Sequence, residues 1–148
     1  MMDLELLLQY GFALIAGGRP YRWSGDDPLK GFDCSGFATE MLKAAGIYPR
    51  TAPKMSAQQL YAYLLKFGTI NQTGRGAFAF FGKSLNEIDH VGWCLDTYAM
   101  LHFGSGDSTT TTPERAAEQN AFGRMDPIRY RKDFLCVVRP EYKPSVKA

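Results

Sequence analysis

The 148-residue chain is long enough for one hydrophobic core, and its aliphatic and aromatic content is that of a globular protein. A net charge of +2, without a basic stripe interleaved with aromatics, gives no footing for nucleic-acid binding. Three widely spaced cysteines do not make a disulfide framework, and no run approaches the ~18 apolar residues of a membrane span.

In chain order, Met1-Met2-Asp3-Leu4-Glu5 is acidic where a secretory leader would be basic. Leu4, Leu7, Leu8, Gly11, Phe12 and Ile15 recur at helical spacing, so residues 3–16 are predicted to form a packed amphipathic helix that stops at Gly17-Gly18. An aromatic, turn-rich connection over residues 19–28 follows. A second helix is predicted from Cys34 to Gly46, presenting Phe37, Met41, Leu42 and Ala45 on one side. A third, over residues 56–67, carries Leu60, Tyr61, Leu64 and Leu65 at core spacing.

Beyond Gly68 the texture changes. Residues 78–81, 90–95, 98–103 and 135–138 are short apolar runs bounded by turn residues and are predicted as strands, with a further strand at 128–131. Thr112-Pro113 reads as an N-cap followed by proline at the first helical position, opening a short helix to about Asn120. Helices first and strands second predict an α+β domain, with the second helix packed on an antiparallel sheet. No linker or repeat interrupts the chain, so residues 1–148 read as a single domain.

The stretch Gly31-Phe32-Asp33-Cys34-Ser35-Gly36-Phe37 carries the chemistry. Asp33 stands where a carboxylate caps a helix, which places Cys34 in the first turn. The positive end of the helix dipole favours a thiolate there and predicts a lowered thiol pKa. The competing reading is a buried, inert cysteine. A cysteine nucleophile needs a base that titrates near neutral pH, and the two histidines of the chain, His90 and His102, both fall in the strand region. If their strands form a hairpin centred on Asp96, position 90 faces position 102, and one ring orients the other. That arrangement requires an odd-length loop such as Leu95-Asp96-Thr97, because an odd register puts the rings on opposite faces. His90, Cys94 and His102 lack the close-paired spacing of zinc ligands, and Cys136 reads as core.

Tyr21-Arg22-Trp23-Ser24-Gly25, Gly31-Phe32-Asp33-Cys34-Ser35-Gly36-Phe37, Pro49-Arg50-Thr51, Phe80-Phe81 and His90-Val91-Gly92 occur in the order found in NlpC-type cell-wall cysteine peptidases, and the chain resembles that family over nearly its whole length. The resemblance implies a papain-like α+β fold. It also implies hydrolysis of peptidoglycan stem peptides at the bond between D-glutamate and a diamino acid, with peptidoglycan or muropeptides as the substrate. No metal or organic cofactor is implied, and no nucleic-acid or membrane partner. Carried over by position, Cys34 is the nucleophile, His90 the base and then the acid, and His102 the third residue that holds His90. Tyr21 stands near the oxyanion site, Asp33 and Ser35 at positions that bind a substrate amine in some relatives, and the backbone N–H of Cys34 at the oxyanion.

The chain departs from the family pattern at Ser24-Gly25, where two glycines are usual. It also departs at Gly76-Ala77, which lacks a structural carboxylate, and at Trp93-Cys94. The loop over residues 104–112 and Ala121-Phe122 resemble phage and prophage members. That resemblance implies phage tail proteins as partners and delivery of a cytoplasmically made protein to the wall by phage, lysis or a secretion system. Two further readings keep the fold. One is an amidase, acyltransferase or antibacterial effector with the same triad, and the other is a non-catalytic tail or wall-binding protein.

Overall fold

The computed structural model describes residues 1–143. Helix α1 (Leu4–Ile15) is capped by the Asp3 carboxylate and followed, past the connection, by two-residue strands β1 (Asp26–Asp27) and β2 (Gly31–Phe32). Helix α2 (Cys34–Ala44) and helix α3 (Ala57–Phe67) come next, the latter opened by a capping box between Ser56 and Gln59. Strands β3 (Gly68–Ile70), β4 (Phe78–Gly82), β5 (Ile88–Cys94) and β6 (Ala99–Gly104) lead to helix α4 (Pro113–Glu118). Strand β7 (Phe122–Pro127), a 3₁₀ turn (Ile128–Tyr130) and strand β8 (Phe134–Pro140) complete the described chain. β3 to β8 form one six-stranded antiparallel sheet in the order β3-β8-β4-β5-β6-β7.

The α+β class and the antiparallel sheet agree with the sequence reading, and three local expectations are corrected. Residues 128–131 are not a strand, because the chain turns through a 3₁₀ segment there. The strand lies just before it, at Phe122–Pro127, where Gly123, Asp126 and Pro127 each disfavour a strand locally. Pairing with β6 along six residues overrides that preference, and Pro127 is tolerated because β7 is the edge of the sheet. Thirdly, α2 is not one-sided: ten of its eleven residues are buried, and only Lys43 is not. Helices α1 and α3 and the β1–β2 connection enclose it, as expected for a helix with few charges.

One face of the sheet meets the helices through Phe80, Val91, Trp93, Leu101 and Phe103, packed with Phe37, Met41 and Leu42 of α2. Phe32, Phe37 and Phe103 form an aromatic cluster at this seam, with ring centroids 5.4–6.1 Å apart. The opposite face carries Phe81, Cys94 and Met100 and is covered by Ile128 and Phe134. Cys136 is buried on the helix side, in agreement with the core reading. Burying rings of this size on one face fixes the register, since a one-residue slip would move every one of them off the helices to the other face.

Candidate active site

Cys34 is the first residue of α2, and the Asp33 carboxylate that starts the helix is fully occupied. Its Oδ1 accepts from the Gly36 N–H at 2.6 Å and from the Ser35 hydroxyl at 3.2 Å. Its Oδ2 accepts from the Ser24 N–H at 3.1 Å and pairs with the Lys54 ammonium at 3.0 Å. Such a cap is worth about 0.5–2 kcal/mol. The helix start also needs the glycine of Cys-Ser-Gly, because a Cβ at Gly36 would run into the carbonyl of Gly25. Among the described residues the Cys34 N–H has no acceptor, as is usual for the first amide of a helix, and it is a free donor.

The thiol does not have the lowered pKa expected from its helix position. Burial pushes the Cys34 thiol up to about 12, and Asp33 beside it adds to the rise. Backbone N–H donors of Val91 and Ser35 and the charge of Lys54 act the other way and do not overcome it. The helix dipole is real but small beside the cost of an anion at a site that is 8 % exposed. The Sγ itself donates to the Asp89 carbonyl at 3.8 Å. Its resting form is the neutral thiol.

The two histidines come together, though not by the pairing expected. β5 and β6 pair Trp93 with Leu101 and Cys94 with Met100, so the hairpin turns on Thr97 and not on Asp96. Asp96 Oδ1 accepts the N–H groups of Tyr98 and Ala99 at 2.7 and 2.8 Å, which places Asp96 at the start of the loop. Leu95 and Ala99 close the loop at 2.9 Å. The register keeps the even parity that the site needs but slides by two residues, so His102 lies level with Gly92 and diagonal to His90. A Cβ at Gly92 would come within 3.3 Å of the His102 Cβ and collide with the Met100 sulfur, so glycine keeps this crossing open. The rings then reach each other, with His90 Nε2 2.9 Å from His102 Nδ1.

The hydrogen-bond chain does not end there. His102 Nε2 lies 2.8 Å from Asp126 Oδ2, and Arg124 Nε donates to the same oxygen at 2.7 Å. Tyr130 OH approaches His90 Nε2 at the longer distance of 3.4 Å. Among the described residues His90 Nδ1 has no hydrogen-bond partner. Burial, then the neighbouring His102, Arg131 and Arg124, hold His90 well below the ordinary histidine value of 6.5. Burial takes His102 down to about 4 despite the opposing pull of Asp126. Burial raises the Asp126 carboxyl, but its bonds from His102 and Arg124 outweigh that and keep it below the usual carboxylate range.

Cys34 and His90 line one cleft of about 510 Å³, together with Tyr21, Trp23, Asp89, residues 104–108 and Arg131. A second recess of about 370 Å³ adjoins it and is lined by Asp33, Ser35, Lys54, Ser56 and Ile88. Tyr21, Trp23, Cys34 and Asp89 belong to both, so the thiol stands at the waist of a two-lobed groove. Tyr21 is 5 % exposed, and burial, with Cys34, Asp33 and Asp107 nearby, raises its hydroxyl pKa and keeps it protonated. His102 is fully buried behind His90 and touches no cleft. Among the described residues no group of three or more histidine, cysteine or acidic side chains is placed to hold a metal ion.

The structure thus brings Tyr21, Asp33, Cys34, Ser35 and His90 to one groove and sets His102 behind it. Asp126 escaped the sequence reading because its strand did. The signal present was the alternation Arg124-Met125-Asp126, which puts a cation and an anion on one face two residues apart.

The NlpC/P60 family profile matches residues 18–124. The bifunctional muramidase/DL-endopeptidase CwlT of Bacillus subtilis is 37% identical over 99 residues, covering 65% of this chain and 28% of that protein. The probable endopeptidase YafL of Escherichia coli is 40% identical over 82 residues, covering 51% of this chain and 30% of that protein. The chain therefore spans less than a third of the length of either curated relative. Among solved structures, the NlpC/p60 domain of the peptidoglycan hydrolase SagA superposes with a TM-score of 0.63 at 21% identity, covering 93% of this chain and 98% of that one. The match over residues 18–124 includes Cys34, His90 and His102, and the chain belongs to the NlpC/P60 family.

Proposed function

We propose that this chain is a cysteine peptidase that hydrolyses peptidoglycan stem peptides at the bond between D-glutamate and a diamino acid. The observation that carries the reading is the meeting of Cys34 and His90 in one cleft, with the His90 Nε2 engaged by His102 and its Nδ1 without a partner among the described residues. The DL-endopeptidase relative supports the choice of bond. The cations Lys54 and Arg131 and the anion Asp89 along the groove suit a substrate that carries both carboxylates and amines.

With a thiol near 12 and an imidazole below 6.5, the resting pair is neutral. Attack is then general-base catalysis: as Sγ bonds to the carbonyl carbon, the thiol proton passes to His90 Nδ1. The oxygen gains the charge and takes a hydrogen bond from the Cys34 N–H, with the Tyr21 hydroxyl close by as a second donor. Collapse of the tetrahedral species breaks the C–N bond, and the Nδ1 proton leaves with the amine. A water deprotonated by His90 then cleaves the thioester and restores the thiol. Because the leaving amine takes its proton from His90, it belongs in the lobe of residues 104–108 and Arg131. The acyl half belongs beside Asp33, Ser35 and Lys54. There the Lys54 ammonium already neutralises Asp33, so a substrate amine recognised by Asp33 must share it with that lysine.

Purified protein incubated with peptidoglycan, followed by mass spectrometry of the released fragments, tests the reading. New D-glutamyl–diamino acid ends, absent with Cys34→Ala, are expected. Release of the whole stem peptide from the sugar would make the chain an amidase, and binding without cleavage would make it a wall-binding protein. Delivery by phage, through tail proteins or lysis, is part of the same proposal, and it rests on the likeness of the loop over residues 104–112.

A further inference from the structure

Behind the base, the chain of hydrogen bonds runs across three strands, from His90 on β5 to His102 on β6 and Asp126 on β7. We propose that Asp126, clamped by Arg124, is a positioning residue that sets the tautomer of both histidines and so delivers the cleft-facing nitrogen of His90 as a base. The consequence for catalysis rests on the peptidase reading above, whereas the placement of the protons does not.

An ionised carboxylate only accepts hydrogen bonds, so His102 Nε2, 2.8 Å from Asp126 Oδ2, must carry its hydrogen. A neutral imidazole has one N–H, which leaves a lone pair on His102 Nδ1. His90 Nε2 lies 2.9 Å from that lone pair and must donate to it. The lone pair of His90 therefore sits on Nδ1, the nitrogen without a partner among the described residues. Reversing either ring would set a lone pair against the carboxylate or two lone pairs against each other. The order is thus imposed from Asp126 inward, and the Tyr130 hydroxyl, at 3.4 Å, is too distant to compete.

Arg124 makes the anchor rigid. Its Nε donates to the oxygen that His102 uses, and its other nitrogens donate to the Asn120 carbonyl at 3.2 Å and the Ser105 hydroxyl at 2.8 Å. The charged groups acting on the two rings are Arg124, Arg131 and Asp126, with the polar Tyr130 hydroxyl beside them. Both arginines oppose an imidazolium on either ring, and Asp126 acts against them at His102.

Nitrogen NMR of the imidazoles in the full chain at pH 7, with kcat and KM on muropeptides, tests the proposal in Asp126→Ala and Asp126→Asn. In the wild type both rings should carry hydrogen on Nε2. In Asp126→Ala the acceptor is gone, so His102 should populate both tautomers and His90 should follow. kcat should fall at least about 10-fold with KM little changed, short of the about 10⁴ lost when the carboxylate bonded directly to a catalytic histidine becomes an amide. In Asp126→Asn, Arg124 holds an oxygen at the shared position, so both tautomers and most of kcat should persist. A merely structural tie between β6 and β7 would instead leave both rings in their wild-type tautomer in Asp126→Ala, and that result overturns the proposal. Should Asp126→Ala not fold, His102 in Asp126→Asn must titrate lower than in the wild type, and an unchanged midpoint is equally fatal. A wild-type chain that cleaves nothing would sink the peptidase reading, while the ring signals would still decide the role of Asp126.

Discussion

The helix-facing side of the sheet and the side carrying the histidines are built from the same strands, one residue out of phase. Phe80, Val91, Trp93, Leu101 and Phe103 meet three helices, and their burial is apolar throughout. Phe81, His90, Met100 and His102 point the other way, under a thin cover of Ile128, Tyr130 and Phe134. Both sides exclude water, with opposite results. On the first, exclusion of water stabilises the fold. On the second, it holds two imidazoles neutral and so leaves a base in place.

Truncation on the helix side should give the largest loss of stability and little chemistry of its own. Phe103→Ala removes a fully buried ring packed on Phe32 and Phe37 and should cost about 3–5 kcal/mol in urea unfolding. On the other side, His90→Ala should cost less in unfolding at pH 7 than Phe103→Ala and reduce kcat by about 10²–10⁴-fold on muropeptides. If the two variants showed the same pattern, the two faces would not be functionally distinct.

The next effect is a dependence on pH. Both histidines titrate lower in the folded chain than the 6.5 of the free side chain, so between 6.5 and about 4 the unfolded chain binds more protons. Stability conferred by the neutral rings is therefore complete above pH 6.5 and is lost as pH falls towards 4. Chemical denaturation at pH 7, 5.5 and 4.5 should show that loss, and His102→Gln should make it shallower. The acid limb of kcat/KM should likewise lie below 6.5, because His90 stays unprotonated there.

Smaller effects come from individual polar side chains. Asp33→Ala removes the cap of α2 and should cost about 0.5–2 kcal/mol, readable as a lower denaturation midpoint. Tyr130→Phe should change kcat by no more than about 2-fold, since its hydroxyl is 3.4 Å from His90, beyond an ordinary hydrogen bond. A larger loss would make the tyrosine part of the proton relay.

Local chemistry was the legible part of this molecule. The cap at Thr112 gave the start of α4, and its hydroxyl bonds the expected amide. Asp33 placed Cys34 in a first turn for the same reason. The even parity of His90 and His102 was also readable, because alternation along a strand is a local rule. The two-residue slide of the hairpin was harder to see. It depends on which residue Asp96 uses its carboxylate to hold, and centring the turn on Asp96 was the wrong choice. Strand β7, with its Gly123 and Pro127, exists because β6 offers it a partner, and no pattern in its own residues demands it.

By itself the sequence determined the four helices, the strands β4, β5, β6 and β8, the family motifs, the helix-start cysteine and the shared face of the two histidines. All of these follow from contacts within a few residues or from a fixed repeat. Only the tertiary structure decided that the Cys34 thiol rests neutral, that the histidines meet on a diagonal, and that Asp126 stands behind them. Burial and cross-strand contact are sums over distant parts of the chain. A helix dipole read from one turn cannot outweigh the desolvation imposed by everything packed around it.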